Sequence, residues 1–263
     1  MSIKLLRILC HKLLDFLFFL KLQLLTKSFK SWKKCETYCR IQNLRKFNYH
    51  TTLYTSSLIN KKKIKIFLDK KNQIDFFQNQ LNQTLTEFIV FFLNKYKYFP
   101  KILDIGGGLG ENYFYLKNFF GVDPVYDVVE NPNLIQLVKK KKLDHINFFS
   151  SLSEVNNYNY DVIYSSGTIQ YIKNYDSFFS KILKKKFKYI LLTRNNFGEN
   201  HSYVAQYTNE GYVPVQQVSY KKLAILIKKN HHKVIREVLI KDSILEGNLG
   251  KNSFGKDLVI AKI

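Results

Sequence analysis

Cysteine is scarce, with Cys10, Cys35 and Cys39 the only three in 263 residues. Three thiols make no disulfide framework, and Cys35-x-x-x-Cys39 has no further ligand at metal spacing, so no metal site is expected and a reduced compartment is the simpler inference. Alanine occurs only at positions 205, 224 and 261, and arginine only at 7, 40, 45, 194 and 236. Acids are few as well, 20 against 42 basic residues, for a net charge of +22. Such a balance ordinarily points to nucleic acid or an anionic surface. Here the basic residues are nearly all lysine, and Asn, Ile, Phe and Tyr are abundant. That joint skew is what A+T-rich codons produce, so part of the charge is drift on solvated faces. The lysine runs 61–63, 139–142 and 184–186 fall at expected helix ends or loops, where they suit the helix dipole and solubility. The charge alone does not decide for RNA.

A long apolar run is also missing. Residues 1–29 are rich in Leu and Phe, but no uninterrupted stretch approaches the roughly 20 residues of a membrane span. Asp15 breaks what would be a signal-peptide core, and no small-residue cleavage site follows. Lys4, Arg7, His11 and Asp15 recur at three- and four-residue steps, which places them on one helical face. The segment reads as an amphipathic helix with two competing roles. It is either an interfacial helix making peripheral contact with the anionic inner membrane face, or a helix packed on its own domain or a second subunit. Residues 30–80 follow as a mixed extension around Trp32, Tyr38, Phe47, Tyr49 and Tyr54, so 1–80 is set apart from a domain at 81–263.

Glycine is sparse too, 11 in all, and four of them fall in KILDIGGGLG at 106, 107, 108 and 110. A short aliphatic run ending in glycines reads as a buried strand entering a tight turn, where a Cβ has no room beside a ligand or an unusual backbone angle. The dinucleotide fingerprint G-x-G-x-x-G fails, because its third glycine would fall on Glu111. The spacing present is Asp104-x-Gly106-x-Gly108-x-Gly110. Val125–Val129 reads as the next strand, and Glu130 closes it, where an acid can accept hydrogen bonds from ribose hydroxyls. A solvated acid capping the helix that starts near Pro132 is the alternative.

The remaining elements follow in order. Leu81, Leu85, Phe88, Ile89, Phe92, Leu93 and Tyr96 share one helical face and stop before Pro100. Further helices are expected at Glu111–Asn118, Pro132–Lys142, Tyr175–Lys185 and Tyr220–Lys229, the last capped by Ser219. Strands are expected at His145–Phe149, from Asp161 onward, at Tyr189–Thr193, near Val234–Ile240 and at Leu258–Ile263. Residues 196–218 lack a helical period and contain aromatics, His201 and Pro214, and read as an inserted substrate loop. Strand ends of an open α/β sheet bind ligands at their carboxyl edge, which makes Arg194 a candidate for gripping a carboxylate or phosphate.

The pattern Asp104-x-Gly106-x-Gly108-x-Gly110 resembles the first loop of class I S-adenosylmethionine (SAM) methyltransferases. The pieces LDIGGGLG, DVVENP, NFFSSLSE, DVIYSSGTIQYI, LLTRNNF, YVAQY and VSYKKL, with Ser31-Trp32 ahead of them, resemble a bacterial group of such enzymes often associated with surface-polysaccharide biosynthesis. The resemblance implies an α/β, Rossmann-like fold with a mostly parallel seven-stranded sheet and a C-terminal antiparallel hairpin. It implies SAM as cofactor, held by Asp104, Gly106, Gly107, Gly108, Gly110 and Glu130, with Ser166 and Gly167 beside it. In the family the third strand often ends in an acid that meets the adenine. Here Ser150 and Ser151 take that place, as a contact or merely as turn residues. Gln170 and Arg194 would face a small-molecule or glycan-linked acceptor, whose oxygen or nitrogen takes the methyl in a cytoplasmic reaction. A hydroxyl acceptor usually needs a base, for which His201 and Tyr171 are the candidates. A non-catalytic SAM-fold binding protein and an RNA methyltransferase are the alternatives.

Overall fold

The computed structural model describes residues 27–47, 83–139, 145–155, 159–208, 211–240 and 253–263. The helix expected at 1–29 lies outside the described residues except at its end. There Lys27–Phe29 is a strand, β1, and not a last helical turn. Tyr49, Tyr54, lysines 61–63 and 140–142, and the connection 241–252 also lie outside them. Trp32–Phe47 forms α1 and Gln83–Tyr96 forms α2, which buries Leu85, Phe88, Ile89 and Phe92. These four are the face expected from their spacing, and the helix stops short of Pro100.

A βα alternation then begins: β2 (Ile102–Ile105), α3 (Glu111–Phe120), β3 (Tyr126–Val129), α4 (Pro132–Lys139), β4 (Asn147–Phe149) and β5 (Val162–Ser166). After a 3-10 turn at Ile169–Tyr171 come α5 (Tyr175–Leu183), β6 (Tyr189–Gly198), β7 (Ser202–Thr208), β8 (Gly211–Ser219), α6 (Tyr220–Lys229), β9 (His232–Ile240) and β10 (Ser253–Lys262). The central sheet runs β4-β3-β2-β5-β6-β10-β9. Its first five strands are parallel, and β10 is antiparallel to both of its neighbours. Strands β2 and β3 are buried at every position, as expected where helices cover both faces of a parallel sheet. Ile102, Tyr126 and Leu191 pack with α2 and α3 on one face, while Leu103, Ile163 and Ile190 pack with α5 and α6 on the other.

The segment expected as a loop at 196–218 is mostly strand. β6 runs on past Thr193 to Gly198, and β7 and β8 form an antiparallel hairpin. Alternation decides this: Val204 and Val215 lie across from each other on one face, and Ala205 and Pro214 on the other. Pro214 is tolerated because, among the described residues, β6 pairs with β8 at Val218 and Ser219 alone and no strand lies beside that edge at Pro214. β1 adds to the hairpin's outer strand, pairing with Tyr203, Val204 and Ala205. α1 lies across the result, with Cys35 and Cys39 against Ala205 and Tyr212. Asn43 binds both backbone groups of Tyr212, its Nδ2 donating to the carbonyl at 2.9 Å and its Oδ1 accepting from the N–H at 2.7 Å. Among the described residues the N-terminal extension is thus tied to the insertion in the second half of the chain.

Candidate functional site

The parallel strands finish level with one another. Ile105 pairs with Val129, Val129 with Phe149, and Ser166 with Thr193. Gly106, Glu130, Ser150 and Gly167 therefore leave the sheet at one edge, where α/β sheets bind ligands, while Arg194 lies level with them inside the longer β6.

At the first exit the chain turns on Gly106 at φ 75°. A side chain there would overlap Thr168, whose hydroxyl donates to the Ser166 carbonyl at 3.1 Å. A Cβ on Gly107 would come within 2.6 Å of the Asp104 carboxylate. The glycines therefore let the loop close on the protein's own side chains: Thr168 from the β5 exit above, Asp104 from β2 below. A Cβ on Gly108 would crowd the Glu111 carboxylate, and one on Gly110 the Ile146 side chain. Glu111 folds back so that its Oε2 accepts from the Leu109 N–H at 3.0 Å.

Asp104 is 1% exposed. Its Oδ2 accepts from the Tyr126 hydroxyl at 2.5 Å and from Asn112 Nδ2 at 3.3 Å. Its Oδ1 is buried without a hydrogen-bond partner among the described residues. Burial pushes the carboxyl up to about 7, against the opposing pull of Tyr126 and Asn112. A cation or a strong donor brought to Oδ1 would favour the ionised form.

Glu130 meets the glycine loop directly, its Oε2 accepting from the Gly108 N–H at 3.1 Å. Its Oε1 accepts from the Asn131 backbone N–H at 2.7 Å and from Asn131 Nδ2 at 3.0 Å. A carboxylate offers about four lone-pair sites, so Oε2 keeps one for another donor. Asn131 also caps α4, its Oδ1 accepting from the Leu134 N–H. The helix cap and the strand-end acid are thus neighbouring residues with separate tasks.

Ser150 is held by an acid that the sequence reading passed over. Glu154 accepts from the Ser150 N–H at 2.8 Å and from its hydroxyl. A carboxylate thus stands at the end of β4, supplied from four residues downstream. The signal was Ser150-x-x-x-Glu154, a spacing that suits a turn closed by its side chain. Ser151 shares a hydrogen bond with Ser153.

Beyond β5, the Gly167 N–H donates to the Thr193 carbonyl at 2.8 Å. The Tyr171 hydroxyl donates to Gln206 Oε1 at 3.1 Å, and Gln170 Oε1 faces the Asn196 N–H at 3.5 Å. Arg194 is exposed and holds φ 55°, while its N–H donates to Asp257 Oδ1 at 2.7 Å. His201 stands apart. It follows Gly198, five residues beyond the last pairing of β6 with β5, which is roughly 16 Å of strand contour at about 3.3 Å per residue. Its ring stacks on Tyr175, and its Nδ1 is buried with no partner among the described residues. Burial and then Lys222 hold its pKa below the usual imidazole value, with Asp176 pulling the other way. The structure thus brings the glycine loop, Glu130, Ser166, Gly167 and the turn at 169–171 together, and leaves His201 at the hairpin end. No group of three potential metal ligands occurs among the described residues.

Several solved structures resemble this one. The magnesium protoporphyrin IX methyltransferase of Synechocystis PCC 6803, determined with bound SAM, is 10% identical, with a TM-score of 0.49 over 87% of this chain and 97% of that one. A Burkholderia thailandensis 1,6-didemethyltoxoflavin-N1-methyltransferase is 11% identical over 77% and 89%, at 0.43. A SAM-dependent methyltransferase from Clostridium acetobutylicum ATCC 824 is 11% identical over 78% and 99%, at 0.46. Comparison with curated proteins gives no match. The profile of the family described as "Methyltransferase domain" matches residues 77–210. That is 134 of the 263 residues, running from just before α2 through the glycine loop, Glu130 and the β5 exit to the tip of the β7–β8 hairpin, and by it the chain belongs to the methyltransferase-domain family.

Proposed function

We propose that this methyltransferase takes SAM as its methyl donor and transfers the group to an oxygen or nitrogen of a small-molecule or glycan-linked acceptor. The observation that carries the reading is the contact between the Glu130 carboxylate and the Gly108 N–H, with the unpartnered Oδ1 of Asp104 in the strand below. The residues suit the cofactor. Its amino group and ribose hydroxyls are donors, and the loop offers one buried acceptor without a partner and one free lone pair on Glu130. When bound, SAM supplies an electrophilic methyl on a sulfonium sulfur. Asp104 would hold the cationic end, Glu130 a ribose hydroxyl, and Ser166 and Gly167 the side toward β5. Ser150, Ser151 and Glu154 would border the base.

The protein's part in the transfer is chiefly alignment in a site with little water. Tyr171 and Gln170 sit on the turn next to Thr168, and in this reading they would orient the acceptor, with Arg194 at the rim. His201, held neutral by its surroundings, can take up a proton at Nδ1 from an acceptor long enough to reach the hairpin. A role in surface-polysaccharide biosynthesis rests on the sequence resemblance alone. The RNA reading draws on the net charge of +22, yet among the described residues lysines occur on every one of the six helices instead of gathering on one element.

Calorimetric titration with S-adenosylhomocysteine (SAH) tests the reading. The wild-type protein should bind it, and Glu130→Ala should weaken binding by about 1–3 kcal/mol, the cost of removing a hydrogen-bonded charged partner. No binding by the wild type would remove both the cofactor assignment and the enzyme reading. Unchanged affinity in the variant would remove Glu130 as the ribose ligand.

A further inference from the structure

Along one edge of β6 the pairing is interrupted. Thr193 pairs with Ser166 of β5, and pairing resumes only at Phe197 with Val218 of β8. Among the described residues no strand lies beside that edge at 194–196, and the 3-10 turn at 169–171 packs there instead. The flanking side chains are amides. Asn195 is 0% exposed, Asn196 1% and Gln216 1%. Gln170 is buried beside them and faces the Asn196 N–H.

These amides are left incomplete. Asn195 Nδ2 donates to the Thr193 carbonyl, and Gln216 Nε2 donates to the carbonyls of Ile169 and Ile172. Those bonds set which end of each amide is oxygen, so the oxygens left over are true acceptors. Asn195 Oδ1, Gln216 Oε1 and both polar atoms of Asn196 are buried without a hydrogen-bond partner among the described residues. Flipping Asn196 changes nothing, since neither end is bonded. The balance is three acceptors to one donor, and none of the four atoms belongs to a charged group. Each such atom is destabilising if nothing meets it, and native interiors rarely tolerate several together. As consecutive strand residues, Asn195 and Asn196 face opposite sides of the sheet, so the break is polar on both.

We propose that this break in the sheet is the acceptor's recognition site, and that the acceptor is an uncharged molecule rich in hydroxyl or N–H donors. The assignment rests on the methyltransferase reading and names the substrate class for it. A carboxylate or phosphate would meet unpartnered amide oxygen on whichever side of the sheet it approached and be repelled, and an ammonium would find no counter-charge among the amides. The place is apt for chemistry, because Gln170 stands on the turn that begins beside Thr168 and the glycine loop. That turn is held to the hairpin by Gln216 and by the bond from Tyr171 to Gln206, and its displacement opens the break to a ligand.

The test uses full-length protein saturated with SAH, isotopically labelled on side-chain amides and titrated with single probes followed by NMR. Myo-inositol and erythritol are the neutral probes; citrate, inorganic phosphate and putrescine are the charged ones. The inference expects the Asn196 amide resonances to shift with a neutral probe and to stay in place with the charged ones. With SAM present, it also expects a neutral polyol to be methylated, with KM raised about tenfold or more in Asn196→Ala, the effect of about 1.4 kcal/mol, while SAH affinity is unchanged. Three results would overturn it: SAH binding with no shift from any neutral probe, shifts from charged probes alone, or an Asn196→Ala protein that melts lower but keeps its KM. Failure of the wild type to bind SAH at all would instead bring down the reading beneath it, and this inference with it.

Discussion

Asp104 carries a burial penalty that its neighbours only partly offset. In the unfolded chain its carboxyl titrates near 3.9, whereas in the fold burial holds it up at about 7. Below about pH 4 it is protonated in both states and costs nothing. As pH rises toward 7 the unfolded chain holds fewer protons than the fold, so stability is lost through this window, by about 4 kcal/mol in all. Thermal melts from pH 5 to pH 8 should show this fall in the wild type and a flatter profile in Asp104→Asn. The same substitution should weaken SAM binding, most clearly above pH 7, because the neutral amide cannot balance the cofactor's cationic end. At the glycines the need for a small residue and an unusual backbone angle was legible in the spacing, and Gly106, Gly108 and Gly110 hold positive φ. The sequence implied a ligand too close for a Cβ, whereas the structure adds the Thr168 and Asp104 side chains as the atoms in the way.

Among the elements, the hairpin and α1 depend on each other. Among the described residues β7 and β8 pair with the main sheet only through two residues of β6, so most of their described support comes from each other, β1 and α1. Asn43 is a buried polar contact in that layer. Asn43→Ala would leave the buried N–H and carbonyl of Tyr212 without this partner, at a cost of about 2–4 kcal/mol. Urea unfolding should register the loss, and amide exchange should quicken in β7 and β8 while β2 stays protected. Helix α2 and the βα alternation were readable because their apolar spacing is strong and local. The hairpin was not, since its strands carry Gln, Tyr and Pro at positions whose burial depends on α1, more than 150 residues earlier.

At the scale of the molecule, β1 sets where the N-terminus can be cut. Removing residues 1–29 would take away the strand that pairs with β7, so a test of the first segment should stop at residue 26. If residues 1–26 act as an interfacial helix, their deletion should release the protein from vesicles containing phosphatidylserine in a co-sedimentation assay. A full-length protein that never sediments with such vesicles would end that reading. No helix among the described residues is long and apolar enough to cross a membrane. His201 is likewise a matter of the whole: the extension of β6 carries the chain past Gly198, so the residue lies at the open end of the β7–β8 hairpin with its ring on Tyr175.

Read alone, the chain determined the α/β alternation, the glycine turn and the acid at the end of its second strand, because apolar period and turn chemistry are properties of a few adjacent residues. Only the tertiary structure decided that Glu130 touches the loop and that β6 breaks its pairing beside four buried amides. Those facts depend on which strands lie side by side, and hydrogen bonds between residues distant in sequence leave no periodic trace in it.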